Sequence, residues 1–398
     1  MTIAAHTLGC KLNFAETSDT LRRLAAEGNT IVNWGTKADL YLINTCTVTA
    51  VAEKKCRAAI RQAHRKNPDA QIVVMGCFAQ VAADEISKLP GVTQVLGNDS
   101  KRLLSYSGED RTRTFFKIQD GCDYFCTYCA IPFARGRSRS ASIEETLCAA
   151  RRISASGAKE VILTGVNTGT FGQHQGESFL DLLKGLDQIE GILRYRISSI
   201  EPNLLTDDII DFVAHSRAFL PHFHIPLQAG SDHVLQLMHR RYDTALYRSK
   251  LECIKAVMPD ACIAADVMAG FNGESEEEFR KVLSFIDSLP ISYLHVFTYS
   301  DRPGTAALKL GEKIPIPVRH KHTSRLLEIS DKKHKEFITS QLGKSRPVLW
   351  EHTDHNGTMQ GWTDNYIRVC RPYDATLANS IENVTLSQEN ITREPASD

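Results

Sequence analysis

The chain has 398 residues, of which 42% are hydrophobic and 24% are charged, and its 47 basic residues balance its 47 acidic ones. These values are ordinary for a soluble globular protein of two or three domains, and a net charge of zero does not favour nucleic-acid binding by the surface as a whole. The longest apolar runs are too short to cross a bilayer, and the first ten residues have no features of a secretion signal. Eleven cysteines, an odd number without such a signal, favour metal or redox chemistry in the cytoplasm over a disulfide framework.

Residues 1–105 predict a first domain, because short apolar runs alternate there with helical patterns. This alternation is typical of a parallel sheet with helices on its faces. The predicted strands are residues 3–8, 40–44 and 72–75, and the predicted helices are residues 13–27, 48–66 and 82–89.

A cysteine stands just past the end of each of these predicted strands. We call them the N-terminal triad: Cys10, Cys46 and Cys77. Because ligands of open α/β sheets bind at the carboxyl ends of the strands, we expect the three thiols to converge at one edge. Three thiolates can hold an iron–sulfur cluster with one open iron, but three unrelated buried cysteines explain the pattern equally well.

A second domain is predicted over residues 112–335, after a polar linker at residues 97–114. Strand patterns again alternate with helical ones, and six strands with crossover helices predict a partial (β/α)6 barrel. The predicted strands are residues 115–119, 161–165, 195–199, 223–227, 262–270 and 294–300. In such barrels the reactive groups lie at the carboxyl ends of the strands.

A cysteine-rich loop follows the first of these strands, with the spacing C-x3-C-x2-C. We call its cysteines the loop triad: Cys122, Cys126 and Cys129. No further cysteine or histidine pair follows at zinc-finger distance, whereas three thiolates can hold three corners of a four-iron cluster and leave the fourth iron open. A loop without metal is the weaker interpretation, because free cysteines rarely crowd together in a reducing compartment. The aromatic residues between the cysteines are expected to shield a cluster from water: Tyr124, Phe125 and Tyr128.

Polar and glycine-rich segments stand at the ends of four other barrel strands, as a cofactor pocket requires. The side chains predicted to line this pocket are Asn167, Ser199, Glu201 and Gln228. Each alone is at least as readily a turn or capping residue, but four successive strand ends favour the pocket. None of the five cysteines outside the two triads has a partner at ligand spacing, so they are interpreted as core residues; Cys148 is one of them.

The C-terminal part begins with a basic helical pattern at residues 318–342 and continues with short β patterns over residues 340–398. These predict a small β-barrel. From Gly343 onward there are five Lys or Arg against eight Asp or Glu. Because phosphate contacts need positive charge, either a few basic residues cluster on one side or other parts of the chain bind nucleic acid.

Several of these segments resemble a known family. The loop CDYFCTYC resembles the signature of radical S-adenosylmethionine (SAM) enzymes, and TLGCKLN, INTCTVT and VMGCFAQ resemble the three cysteine motifs of the methylthiotransferase N-terminal domain. The C-terminal part resembles a TRAM domain, a small RNA-binding β-barrel, through Gly361, Thr363, Asn365 and Tyr366. One segment departs from the family's usual GFPGET, because Asn272 and Ser275 replace its proline and threonine.

The resemblance implies two [4Fe–4S] clusters. The loop triad would hold the one that binds SAM, and the N-terminal triad would hold an auxiliary cluster that supplies or carries sulfur. It also implies that the four polar strand-end residues contact SAM, and that the electron comes from a donor such as flavodoxin or ferredoxin. No catalytic residue is assigned beyond the cluster ligands.

The implied reaction is methylthiolation of a tRNA base beside the anticodon, so the expected partner is the anticodon stem-loop. TLGCKLN and the IPFARG after the loop resemble the subgroup that acts on C2 of N6-threonylcarbamoyladenosine at position 37. This base carries a carboxylate, for which Arg135 and Arg137 are the candidate ligands. The alternatives are an enzyme for N6-isopentenyladenosine 37, an enzyme for a ribosomal-protein aspartate, and a non-enzymatic electron carrier or RNA-binding scaffold.

Overall fold

The computed structural model describes residues 1–98, 101–108 and 112–392. Its N-terminal part is a five-stranded parallel sheet in the order β2-β1-β3-β4-β5. The strands are β1 (Thr2–Thr7), β2 (Thr30–Val32), β3 (Leu40–Thr45), β4 (Gln71–Gly76) and β5 (Val92–Leu96). The helices are α1 (Lys11–Ala26), α2 (Ala50–Lys66), α3 (Cys77–Val81) and α4 (Ala83–Ile86). The prediction of a single helix over residues 82–89 is wrong. The structure has two shorter helices in this region, of which the first begins at Cys77 and the second ends at Ile86.

The central part contains six parallel strands that form an open half barrel. The six parallel strands are β7 (Arg113–Lys117), β10 (Glu160–Thr164), β11 (Arg194–Ile197), β12 (His222–His224), β13 (Cys262–Ala269) and β14 (Tyr293–Thr298). Three short strands pair in antiparallel fashion: β6 (Ser105–Tyr106), β8 (Gln119–Asp120) and β9 (Arg139–Ser140). One sheet runs β11-β10-β7 and another β12-β13-β14. A parallel bridge between Ser199 and His224 joins the two, so the predicted partial (β/α)6 barrel is confirmed.

Helices follow the barrel strands: the first lies beside the cysteine loop and packs on α3, the others cover the outer face of the barrel, and the last leads into the C-terminal part. They are α5 (Ile131–Arg135), α6 (Ile143–Ala155), α7 (Phe179–Asp187), α8 (Asp207–His215), α9 (Asp232–Leu237), α10 (Thr244–Val257), α11 (Glu276–Ser288) and α12 (Ile316–Gln341). Six of them begin at a Ser, Thr or Asp whose side chain accepts a first-turn backbone N–H, and Ser142 forms a full capping box with Glu145. None of the helices in the described ranges is long and apolar enough to cross a membrane.

Helix α1 lies against the inner face of the barrel. Successive side chains of a strand point to opposite faces of the sheet. Phe116 and Leu163 belong to the core beneath the outer helices, so their neighbours Phe115 and Ile162 point into the interior of the barrel. Phe14 meets Phe115 edge to face with ring centroids 5.9 Å apart. The first domain therefore covers the inner wall of the second, and side chains of both line one interior.

The C-terminal part is a four-stranded antiparallel sheet in the order β17-β16-β15-β18. Its strands are β15 (Ser345–Trp350), β16 (Thr358–Thr363), β17 (Arg368–Pro372) and β18 (Ile381–Thr385). Arg194 donates to the carbonyl oxygens of Trp362 and Pro347 at 3.0 and 2.7 Å. Arg194 begins β11, so this sheet packs on the amino-terminal end of the barrel, opposite the cysteine loop.

The predicted linker at residues 97–114 is more ordered than expected. It contains β6 and the start of β7, which pair with each other. Residues 99–100 and 109–111 of this segment lie outside the described ranges.

Candidate active site

The structure places all three cysteines of the N-terminal triad at the carboxyl edge of the first sheet. Cys10 precedes α1, Cys46 follows β3, and Cys77 begins α3 directly after β4. Gly9 has a φ of +105°, and a Cβ there would lie 2.7 Å from the Cβ of Cys46. The absence of a side chain at Gly9 therefore permits the loop before Cys10 to lie against Cys46.

The thiols of this triad lie close enough to interact electrostatically. Burial, together with the nearby thiols of Cys10 and Cys77, raises the pKa of the Cys46 thiol to about 12. Gathering thiolates that repel one another needs a compensating positive charge, and a coordinating metal deprotonates thiols outright. The donor set fits an iron–sulfur cluster with three protein ligands.

Cys56, Cys253 and Cys262 follow the core prediction, whereas Cys148 and Cys370 do not. Cys370 is partly exposed on β17, where its neighbour Val369 occupies the core instead. Cys56 is fully buried in α2, and its sulfur lies 3.4 Å from the backbone nitrogen of Cys46. Cys148 was predicted to be a core residue, but it is exposed on α6. Its neighbours Ala149 and Ala150 point into the core instead, so a shift of one residue along the helix separates the two environments.

The loop triad lies between β8 and α5, at the carboxyl end of the first barrel strand. The backbone N–H of Cys122 donates to Gly136 at 3.1 Å, which closes the base of the loop. The N–H groups of Tyr124 and Ile131 point at the sulfurs of Cys122 and Cys129 at 3.5 and 3.4 Å. These donors stabilise thiolates, as a metal-binding loop requires.

The aromatic residues of this loop do not all shield it. Tyr124 is buried and Tyr128 is half-buried against Phe271. Phe125, expected to cover a cluster, is 40% exposed and has a φ of +50°. This left-handed backbone directs Phe125 outward, towards the exposed ring of Phe133.

Arg240 contacts this loop, and nothing in the sequence pattern pointed to it. Its Nη1 lies 3.1 Å from the sulfur of Cys126, and its Nη2 donates to the carboxylate of Glu201. Burial raises the pKa of Glu201, and the charge of Arg240 opposes that shift. Glu201 thus lies at the loop triad, where the sequence predicted it, with Arg240 between the carboxylate and Cys126.

The other predicted pocket residues lie at neighbouring strand ends. Asn167 is 2% exposed, and its side-chain amide lies near the Tyr124 hydroxyl but makes no well-formed hydrogen bond within the described residues. A buried amide with so few partners is costly, so it fits a site that a polar ligand completes. Its backbone N–H is held by the Gln119 side chain at 2.9 Å.

Ser199 and Gln228 stand at the ends of β11 and β12. The carbonyl of Ser199 accepts the Thr168 hydroxyl at 2.6 Å, and its own side chain is half-exposed. Gln228 has a φ of +62° and is fixed by backbone hydrogen bonds to Asp266 and Met268, both of 2.8 Å. Left-handed residues of this kind are held by their surroundings and cluster at ligand sites.

Of the two arginines predicted for a substrate carboxylate, only Arg137 is open to solvent. Its side chain is 74% exposed and lies 3.4 Å from Asp123. Arg135 is 2% exposed, and its guanidinium is bound by Glu16 and Asp120 at 3.0 and 2.8 Å. The prediction that Arg135 binds substrate is not supported by this geometry, because protein carboxylates occupy it.

A polar wall on the barrel interior was not foreseen from the sequence. His224 Nε2 lies 2.8 Å from Asp266, and ligand-type atoms of both and of His295 lie within 4.8 Å of one another. The small cavity beside the two histidines is also lined by Lys11 and Arg196, whose charges disfavour a cation there. We interpret the three residues as a hydrogen-bonded wall facing the interior.

The half barrel and its three-cysteine loop define a radical SAM protein. Residues 116–286 match the family model "Radical SAM superfamily", and residues 2–97 match "Uncharacterized protein family UPF0004". The radical SAM methyltransferase TsrM from Kitasatospora setae shares this fold, with a TM-score of 0.53 and 12% identity over 74% of this chain and 72% of that one.

Two similar sequences extend over nearly the whole length. Threonylcarbamoyladenosine tRNA methylthiotransferase MtaB of Bacillus subtilis (strain 168) is 37% identical over 92% of this chain and 90% of its own. The tRNA-2-methylthio-N(6)-dimethylallyladenosine synthase of Endomicrobium trichonymphae is 30% identical over 92% of each. The chain belongs to the radical SAM methylthiotransferase family, so it is an enzyme rather than an electron carrier or a binding scaffold. Its cofactors are SAM and [4Fe–4S] clusters.

Proposed function

We propose that this enzyme methylthiolates C2 of N6-threonylcarbamoyladenosine at position 37 of tRNA, in the cytoplasm, with flavodoxin or ferredoxin as electron donor. The observation that carries the proposal is the presence of two cysteine triads on adjoining edges of two sheets. The substrate choice draws on the named activity of the Bacillus subtilis relative. The residue ranges we assign are 1–105 for the auxiliary-cluster domain, 112–335 for the radical SAM domain and 340–398 for a TRAM-like domain.

In this proposal the loop triad holds the cluster that binds SAM, and the N-terminal triad holds the auxiliary cluster. A [4Fe–4S] cluster held by Cys122, Cys126 and Cys129 would supply the electron for reductive cleavage of SAM. Asn167, Ser199, Glu201 and Gln228 lie at successive strand ends of the barrel and would bind the polar groups of SAM. The chain's own task is to orient these groups and to exclude water.

The packing of α5 on α3 supports a short separation between the two triads. Helix α5 begins two residues after Cys129, and its last residue, Arg135, reaches Cys77 at the start of α3. A five-residue helix is about 7 Å long. One substrate base placed between the triads is therefore within reach of both.

The surface beside the loop triad suits unstacked RNA bases. Phe133 and Phe125 are 60% and 40% exposed, and the guanidinium of Arg137 lies 4.6 Å from the Phe125 ring centre. Arg241 stacks over Tyr124 at 4.0 Å. Exposed aromatic rings and guanidinium planes are the groups on which splayed-out loop bases stack, which supports the anticodon stem-loop as partner. We assign the substrate carboxylate to Arg137.

Helix α2 adds a basic face that starts at the N-terminal triad. Its exposed cations have no carboxylate partner among the described residues: Lys54, Lys55, Arg61 and Arg65. Two exposed valines, Val48 and Val51, flank its first turn. In the C-terminal part, by contrast, Lys344 and Arg346 pair with Asp260. We infer that the cluster-bearing domains supply most of the phosphate contacts.

Charge reversal on α2 tests this inference. Arg61→Glu/Arg65→Glu is expected to weaken tRNA binding about tenfold and to reduce the slope of log K against log salt by about two, since each phosphate contact contributes about 0.9. SAM cleavage without tRNA is expected to stay unchanged. The measurement is tRNA affinity at several salt concentrations.

A matched control reverses two exposed cations on the outer helices, as Arg151→Glu/Lys184→Glu. This control is expected to keep the wild-type slope. If both double variants reduce the slope equally, the effect is one of net charge and the α2 surface is not the binding face.

The substrate assignment is tested with anticodon hairpins. Reconstituted enzyme is incubated with one hairpin carrying N6-threonylcarbamoyladenosine and another carrying N6-isopentenyladenosine, and the nucleosides are analysed by mass spectrometry. We expect a methylthio product from the first hairpin only. Product from the second alone would move the assignment to the activity named for the Endomicrobium trichonymphae relative.

A further inference from the structure

We propose that Arg135 is a positioning residue for the auxiliary cluster: it holds the Cys77 thiolate and sets the cluster's reduction potential. Its Nε donates to the sulfur of Cys77 at 3.2 Å. Arg135 belongs to the radical SAM domain, whereas Cys77 belongs to the first sheet. The inference rests on the proposed assignment of the N-terminal triad to that cluster.

The guanidinium of Arg135 is fixed on its other sides. Nη1 donates to Glu16 at 3.0 Å and to Asp120 at 2.8 Å, and Nη2 donates to the side-chain oxygen of Asn13. A planar fork with these donors engaged has little rotational freedom. The remaining Nε–H is therefore aimed at the sulfur by the protein and not by the thiolate alone.

The buried charges around Arg135 are not balanced, because cations outnumber carboxylates there. Lys117 pairs with both Glu16 and Asp120, and Lys101 pairs with Glu16. The three cations and two carboxylates are each at most 3% exposed, which leaves one buried positive charge in excess. An unbalanced buried charge is unfavourable, and the sulfur of Cys77 lies next to it. A cluster ligated through Cys77 provides that negative charge permanently.

The loop triad repeats this arrangement. There Arg240 donates to the sulfur of Cys126 and is held by the partly buried carboxylate of Glu201. Hydrogen bonds to cluster sulfurs and nearby charge are among the factors that set the potential of an iron–sulfur cluster. The difference is that Arg135 reaches across two domains, so it also fixes where the auxiliary cluster stands relative to the radical SAM loop.

The test uses the full chain with all three loop-triad cysteines changed to alanine, so that only the auxiliary cluster remains. The midpoint potential is measured by redox titration with electron paramagnetic resonance detection, and iron is counted in the same samples. In this background Arg135→Gln removes a charge and a donor that both stabilise the more negative reduced cluster. We expect the reduction equilibrium to fall about tenfold, which is 59 mV for one electron.

Two further variants complete the test. Arg139→Gln removes a cation that lies 3.4 Å from Asp120 without contacting Cys77, and it is expected to leave the potential unchanged. Arg135→Lys keeps the charge but loses the fixed Nε donor, so we expect a smaller shift in the same direction. If Arg135→Gln does not fold, Arg135→Lys carries the test.

The outcomes separate this inference from the function proposed above. Cluster-loaded Arg135 variants with the wild-type potential overturn the role of Arg135, as does an equal shift in Arg139→Gln. If the background protein binds no iron at all, it is the assignment of the N-terminal triad that fails.

Discussion

Cys77→Ala is expected to abolish methylthiolation while SAM cleavage continues. Cys77 belongs to the N-terminal triad, and every cysteine of the loop triad lies in the other domain. Removing one of three ligands empties the auxiliary site but leaves the SAM site its own ligands. We expect the methylthio product to fall more than about 100-fold, beyond the loss typical of residues that only support a ligand. The measurement quantifies 5′-deoxyadenosine and methylthio-nucleoside in the same reaction.

The control for this variant is Cys148→Ala, which removes an exposed thiol on α6 that belongs to neither triad. It is expected to keep both products. Loss of 5′-deoxyadenosine as well as methylthio product in Cys77→Ala would show that the N-terminal triad is structural.

Cys126→Ala is expected to abolish both products. Cys126 is 9% exposed and its sulfur accepts from Arg240, so its loss opens the loop and leaves that guanidinium without its sulfur partner. Without the loop cluster SAM is not cleaved, and no substrate radical chemistry follows. Iron is expected to fall from about eight to about four ions per chain, since each cluster contains four. Cleavage of SAM by this variant at the wild-type rate would contradict the assignment of the loop triad.

The strands and their cysteines could be predicted from the sequence because both are local features. A buried strand is a short apolar run, and in a parallel sheet the residue just past its end lies at the ligand-binding edge. Cys46 and Cys77 could therefore be placed together although 31 positions separate them in the printed sequence. The open half barrel followed from the same alternation of strand and helix.

What could not be predicted depends on contacts between distant segments. Arg240 meets Cys126 across 114 positions, and Arg135 meets Glu16 across 119, so no local pattern carries either contact. Arg135 and Arg137 look alike in sequence, yet one is enclosed and the other exposed. The reason is that α5 ends between them, where Gly136 adopts a φ of +75° and turns the chain outward.

The position of the C-terminal sheet relative to the barrel could likewise not be predicted from sequence patterns. Its resemblance to an RNA-binding domain does not say where it lies relative to the reaction site. Arg194 and Arg196 hold it at the opposite end of the barrel through four backbone carbonyls. RNA that contacts both regions must extend along the whole height of the barrel, as an anticodon stem-loop with its stem can.

The central claim is that this enzyme acts on N6-threonylcarbamoyladenosine in tRNA. The most direct measurement is mass spectrometry of tRNA nucleosides from a strain that lacks the gene, compared with the same strain carrying the wild-type gene or its Cys77→Ala variant. We expect 2-methylthio-N6-threonylcarbamoyladenosine to disappear, the unmodified N6-threonylcarbamoyladenosine to accumulate, and only the wild-type gene to restore the product. An unchanged level of the methylthio nucleoside in the deletion strain would contradict the claim.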